Sequence, residues 1–284
     1  MTSIQSLLKT ARQQLAIVSD SPQLDAELLL SHCLNKERSY LYAWGEIRVE
    51  QALQRQFNQL VAKRLNDYPI AYLLGHKAFW SLDLIVTEAV LIPRPETELL
   101  VETALEKIQT SKAPKILDLG TGSGAIALAI ASERPDAIIT ASDYSDKALA
   151  IARQNARKNN IHNISFIQSD WFHQIPPQKF DLILSNPPYI SSQDPHLQQS
   201  IRHEPLQALV SGETGLDAIN AILDSALHYM QHRAWILIEH GYNQGDTVPL
   251  LMKKLGLQHS HCIKDYNGNN RLSMGKQRKK RIII

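Results

Sequence analysis

The chain has 284 residues, 44% of them hydrophobic and 20% charged, with a formal net charge of +2. This composition excludes a disordered chain, and the near-balance of charge gives no electrostatic signature of a nucleic-acid binder. Cys33 and Cys262 lie too far apart for a metal or redox motif, and no run approaches the roughly 20 apolar residues of a membrane span.

From Ile4 to about Leu74 the pattern is helical. Leu7, Leu8, Ala11 and Leu15 recur at helix spacing; Ser21 and Pro22 open a second helix, and Leu53, Phe57, Leu60 and Val61 share a face of a third. His32 and Cys33 stand in an apolar run and read as core filling. From His76 the chain alternates and is rich in aromatic and β-branched residues, which predicts a hairpin around Ser81, and Pro95 with early acids then opens a helix.

After Ala113 strands and helices take turns. The runs KILDLG, AIITASD, ISFIQSD, FDLILSN and AWILIEH read as buried strands, and the closing HSHCIKDY and RLSMGK as a hairpin. This order predicts an α/β fold with a doubly wound, mostly parallel sheet, in which ligands bind beyond the carboxyl ends of the strands. The residues at those ends are Asp118 to Gly124, Asp143, Asp170 and Asn186.

The first end, LDLGTGSGA, loosely fits a dinucleotide loop through Gly120, Gly122 and Ala125, and Asp143 closes the next strand where it could hold ribose hydroxyls. Asp118 argues against a nicotinamide dinucleotide, because a carboxylate there would repel a pyrophosphate. It favours a cationic ligand, such as S-adenosylmethionine with its sulfonium and ammonium and no phosphate, or else it ties the turn by a hydrogen bond. Asp170 and Trp171 would meet the adenine amine and ring. The fourth end is Asn186-Pro187-Pro188-Tyr189. An amide or aromatic NH2 is a poor nucleophile, so its methylation calls for acceptors aimed at its hydrogens. Asn186 offers its side-chain oxygen, Pro187 a carbonyl outside the strand ladder, and Tyr189 a flat face for a planar group. This motif alone leaves adenine, guanine and glutamine open as substrates.

The order LDLGTGSG, acidic strand end, NPPY resembles class I methyltransferases acting on planar NH2 groups. With IPRPETE at Ile92–Glu98, EPLQALVSGETGLDAI and DYNGNNRLSMGK, nearly the whole chain resembles release factor glutamine methyltransferases of the HemK/PrmC type. The resemblance implies a Rossmann-like sheet of seven strands and three parts: a helical bundle over 1–75 that docks the protein substrate, a hairpin connector over 76–92, and a methyltransferase domain over 93–284. It implies transfer of a methyl group from S-adenosylmethionine, leaving S-adenosylhomocysteine, to the glutamine nitrogen of the Gly-Gly-Gln loop in bacterial release factors. The implied cofactor residues are Asp118, Gly120, Thr121, Gly122, Ser123, Gly124, Asp143, Tyr144, Asp170, Trp171 and Asn186. Asn186, Pro187, Pro188 and Tyr189 would grip the glutamine, with Arg94 beside them, and Asn186, Pro187 and Tyr189 would carry the catalysis.

Arg94 and Glu98 also admit a helix-start salt bridge, and Glu204 with Pro205 either a substrate groove or a turn. Other substrates compatible with the same chemistry are a ribosomal-protein glutamine or a base in nucleic acid, and a non-catalytic binding module would predict a damaged cofactor loop. The expectation is a cytoplasmic monomer with no metal, no membrane contact and no direct nucleic-acid contact. The basic run from Lys276 to Arg281 reads as a solvated tail, with an electrostatic contact to RNA second.

Overall fold

The computed structural model describes residues 2–198 and 200–278. The basic tail from Lys279 onward lies outside the described residues. The chain divides into two compact units, Met1–His76 with Gln198–His203, and Lys77–Leu197 with Glu204–Ile284.

The smaller unit holds α1 (Ile4–Leu15), α2 (Pro22–Leu34), α3 (Arg38–Ala43), α4 (Gln51–Leu65) and α5 (Ile70–Leu74). The expected apolar stripe of α1 is buried against Leu29 and Leu30 of α2 and Phe57 and Val61 of α4. Two acids accompany this core, and each is paired: Asp25 takes Arg64 Nε at 2.8 Å, and Glu27 accepts from Arg38, Gln23 and Tyr42. Pairing is what makes carboxylates tolerable there. Cys33 fills the core as expected, but His32 is exposed. Neighbouring positions on a helix point about 100° apart, so an apolar run does not bury every member. Ser21 stands at the cap of α2 without a side-chain capping bond, leaving Pro22 as the opening signal.

The larger unit begins with the hairpin β1 (His76–Phe79) and β2 (Leu82–Ile85). Asn155 ties β2 into this unit, accepting from Ile85 N at 2.6 Å and donating to Ile85 O at 3.0 Å and Ser123 O at 2.9 Å. A 3-10 turn at Pro95–Thr97 leads into α6 (Glu98–Ile108). Then come β3 (Lys115–Leu119), α7 (Ala125–Glu133), β4 (Ile138–Asp143), α8 (Asp146–Lys158), β5 (Ile164–Gln168), β6 (Phe180–Ser185), α9 (Asp217–Tyr229), β7 (Met230–Glu239), α10 (Thr247–Lys254), β8 (Gln258–Lys264) and β9 (Asn270–Lys276).

The seven-stranded sheet runs β5-β4-β3-β6-β7-β9-β8, with β9 antiparallel to both its neighbours. Helices cover both faces, which is why β3 and β6 read as nearly continuous apolar runs rather than as alternating ones. The chain starts at β3, winds out to β5, and returns to β6 on the other side. The β3/β6 seam is therefore the topological switch point, where the strand ends part and leave a crevice. Its register pairs Leu119 with Ser185, and Ser185 Oγ donates to Leu119 O at 2.8 Å.

Candidate active site

The strand pairing aligns the residues just beyond the switch point. Leu119 pairs with Ser142 on one side and Ser185 on the other, and Ser185 pairs with Ile238. One residue further along these four strands stand Gly120, Asp143, Asn186 and Glu239. Gly120, Asp143 and Asn186 of this row line a cavity of about 300 Å³.

One side of the cavity is the loop after β3. Gly120, Gly122 and Gly124 all have positive φ, at +73°, +57° and +86°, so the loop takes a path side-chained residues rarely follow. Gly120 and Thr121 donate their backbone N–H groups to Ser142 O at 2.9 and 2.8 Å. Gly122 N donates to Asp143 Oδ2 and Ser145 N to Asp143 Oδ1, each at 2.9 Å. Gly120, Thr121, Gly122, Ser123, Asp143, Tyr144, Asp170 and Trp171 all line the cavity. A Cβ on Gly120 would touch the Trp171 ring at 3.7 Å, so the loop and the indole already stand in contact distance.

Asp118 lies behind this wall, fully buried. Its Oδ2 accepts the Thr121 hydroxyl at 2.6 Å, while Oδ1 has no partner. Burial pushes its carboxyl up to about 7, with the neighbouring Asp143 charge adding and the Thr121 hydrogen bond opposing. Burial raises Asp143 as well. Of the two acids, Asp143 faces the cavity with each oxygen already taking one backbone N–H, and Asp118 stands behind it, tying the turn through Thr121. Gly124 also stands outside the wall. It caps α7, where a Cβ would meet Leu128 Cδ1 at 2.9 Å, so its smallness serves helix packing.

The opposite side is the end of β6. Asn186 and Pro188 line the cavity; Pro187 and Tyr189 stand outside its wall. Asn186 Nδ2 donates to Thr97 Oγ1 at 3.3 Å, and Asn186 Oδ1 is buried without a partner. The Tyr189 carbonyl accepts from Gln244 Nε2 at 3.2 Å, and burial with the nearby Glu239 charge pushes the Tyr189 phenol up to about 12. Ile190 is held from behind by a parallel bridge to Val210.

The segment before α6 completes the site. Arg94 lines the cavity and pairs with Glu204, whose Oε2 also accepts Ile92 N at 3.0 Å. The salt bridge expected between Arg94 and Glu98 is not the one formed: Glu98 Oε1 instead accepts Trp80 N at 2.9 Å. Pro205, Gln207 and Ala208 line the cavity too, which makes the 204–208 stretch a wall as well as a turn. Thr97 and Glu239 were not singled out in the sequence. Thr97 carries no motif, and Glu239 reads as the last residue of an ordinary strand.

The chain is similar to known proteins over nearly its whole length. The Methyltransferase small domain family matches residues 95–219, and the PrmC N-terminal domain family matches residues 6–75. A protein of Coxiella burnetii called release factor glutamine methyltransferase is 45% identical over 98% of this chain and 100% of its own length. One of the same name from Aliivibrio fischeri is 45% identical over 96% of this chain and 97% of its own. Among solved structures, a Thermus thermophilus 16S rRNA methyltransferase in complex with AdoMet and guanosine shares the fold, with a TM-score of 0.53 at 17% identity over 72% of this chain and 50% of its own.

Proposed function

Because this chain belongs to the release factor glutamine methyltransferase family, we propose that it methylates the side-chain amide nitrogen of the glutamine in the Gly-Gly-Gln loop of bacterial peptide chain release factors. S-adenosylmethionine, when bound, supplies an electrophilic methyl group on a sulfonium. The chain's own residues hold and orient the two reactants.

Asp143, fixed by two backbone N–H groups, takes the ribose hydroxyls, and Asp118 supports the loop from behind through the Thr121 hydroxyl. Trp171, with Tyr144 and Asp170, bounds the adenine. Across the seam, Asn186 Oδ1 accepts one hydrogen of the substrate amide and the Pro187 carbonyl the other, leaving the nitrogen free to face the methyl carbon. Tyr189, which stands outside the cavity wall, would have to turn toward it to give the amide flat support. Arg94 borders the same space. No strong base is required: positioning and acceptance of charge developing on nitrogen carry the reaction, and the product's extra proton is acidic enough to leave to water.

The observation that carries this reading is the buried, unpartnered Asn186 Oδ1 on the same cavity as the Gly120–Ser123 loop. Among the described residues no helix is long and apolar enough to cross a membrane, in keeping with a cytoplasmic enzyme that meets its substrate there. The test is incubation with labelled S-adenosylmethionine and, in parallel, release factor and DNA. Label on the loop glutamine is expected; label on a base and none on the protein would overturn the proposal. Asn186→Ala should abolish transfer while leaving the thermal transition in place.

A further inference from the structure

An asparagine presents an acceptor at one end of its amide and a donor at the other, and the two ends have nearly the same shape. For Asn186 to grip an NH2 group, its oxygen must face the cavity. Turned over, it would oppose donor to donor. The decision lies with whatever meets the Nδ2 end.

We propose, resting on the glutamine methyltransferase reading, that Glu239 is the positioning residue that fixes this sense of the Asn186 amide. The register Ser185↔Ile238 places Asn186 and Glu239 beside each other, one residue beyond the last pair of the β6/β7 ladder. Hydrogen bonding with the Thr97 hydroxyl and the Asn186 amide works to lower the Glu239 carboxyl against the rise that burial causes. Nδ2 donates one hydrogen to Thr97 Oγ1 at 3.3 Å, the neighbouring strand sets the Glu239 carboxylate beside the other, and Oδ1 is buried without a partner. A carboxylate can only accept, so it holds Nδ2 inward. A carboxylic acid or a glutamine has a hydrogen to offer and can satisfy Oδ1 in the turned-over state.

The location makes packing a poor explanation for this acid. Glu239 is 2% exposed and its Oε2 has no partner. An apolar or amide side chain there would spare the fold the desolvation of a charge. The titratable groups around it come from three elements: Arg271 of β9, Glu96 of the turn before α6, and the neutral Tyr189 phenol after β6. Arg271 offsets part of the cost but is shared with Asp265, at 3.3 Å. The adjacent His240 is engaged elsewhere, with Gly241 O and Ser273. Burial pushes the Glu239 carboxyl up to about 7, with Glu96 adding to the rise and Thr97 and Arg271 opposing it. Below that pH the residue becomes a donor and the amide sense is no longer fixed.

The experiment compares the pH profile of kcat for the wild-type chain and Glu239→Gln, using release factor and S-adenosylmethionine, with cofactor affinity measured by calorimetry. Wild-type kcat should fall on the acid side of about pH 7. Glu239→Gln should bind cofactor normally, show kcat lowered about 10- to 100-fold, as expected for a misplaced reacting group, and lack that acid limb. Wild-type kcat in the variant, or a lowered kcat that keeps the limb, overturns the inference. If Glu239→Gln does not fold, Thr97→Val and Thr97→Ser take its place: loss of kcat with Val and recovery with Ser supports it, and full kcat with Val overturns it. A wild-type chain that leaves the release factor unlabelled sinks the functional reading, and this inference with it; an active wild type with an indifferent variant sinks this inference alone.

Discussion

The Gly122 backbone N–H donates to Asp143 Oδ2 at 2.9 Å, so the loop after β3 is held by the residue that closes β4. The other Asp143 oxygen takes Ser145 N, which also fixes the start of α8. Asp143 therefore shapes the cofactor loop besides facing the cavity. Asp143→Asn cannot accept at both oxygens, and hydrogen bonds to charged groups contribute about 1.5–3 kcal/mol each. Cofactor affinity should fall at least tenfold by calorimetric titration. Unchanged affinity would remove Asp143 from the binding site.

Asp118 predicts a pH dependence of stability. Its carboxyl titrates near its ordinary 3.8 in the unfolded chain and at about 7 in the folded one. Across that window the folded state binds more protons, so its stability is full below the window and is lost as pH rises through it. Asparagine at 118 does not titrate. In urea unfolding without cofactor, the stability of Asp118→Asn relative to wild type should rise from pH 4 to pH 7 and then level off, by on the order of 4 kcal/mol at most. A difference that stays flat with pH would show that Asp118 is not held protonated.

Glu204 accepts the Ile92 N–H and the Arg94 guanidinium from within the fold. Glu204→Ala orphans a buried N–H and frees a cation at the cavity rim, which should lower unfolding stability by about 1–3 kcal/mol. Arg94→Ala leaves the buried Glu204 carboxylate without its cation and should cost at least as much. A wild-type melting temperature for Arg94→Ala would contradict this.

Gly215 backs the substrate side. Its φ is +75°, and a Cβ there would lie 2.2 Å from the Tyr189 carbonyl oxygen. Gly215→Ala should displace the Asn186–Tyr189 segment and depress kcat far more than cofactor affinity. Gly256→Ala is the matched control, with φ +82° and nothing within 4 Å. It should show only the conformational cost of about 1–2 kcal/mol and normal kcat.

Tyr189 separates a flat support from an acid. Its phenol stays protonated to about 12, so no step near neutral pH can draw on its ionised form. Tyr189→Phe keeps the ring and should retain most activity, whereas Tyr189→Ala should lose it. Loss with Phe, measured as kcat against release factor, would assign the role to the hydroxyl instead.

What could be read from the residues follows the range of the forces involved. The sheet was legible because buried parallel strands are unbroken apolar runs and the glycine turn has a local signature, so Gly120–Ser123, Asp143 and Asn186 fall where expected on the cavity. Arg94 was noticed, but its partner Glu204 lies 110 positions away, and local reasoning paired it with Glu98. Thr97 meets Asn186 across 89 positions, and Glu239 meets it only through the β6/β7 register. No spacing rule within one element could find either. The residue type of Tyr189 suggests a cavity face, whereas the structure leaves Tyr189 outside the cavity wall.

The β3/β6 seam has a consequence for how the enzyme could be altered. Almost everything assigned to the methyl donor comes from 118–171, and the residues that select the acceptor come from before that stretch or after it. The two halves of the chemistry are thus written in separable passages, joined by a single ladder. A library confined to 186–190 and 204–208 should change which nitrogen is modified while the donor stays the same, and the reverse library should do the opposite.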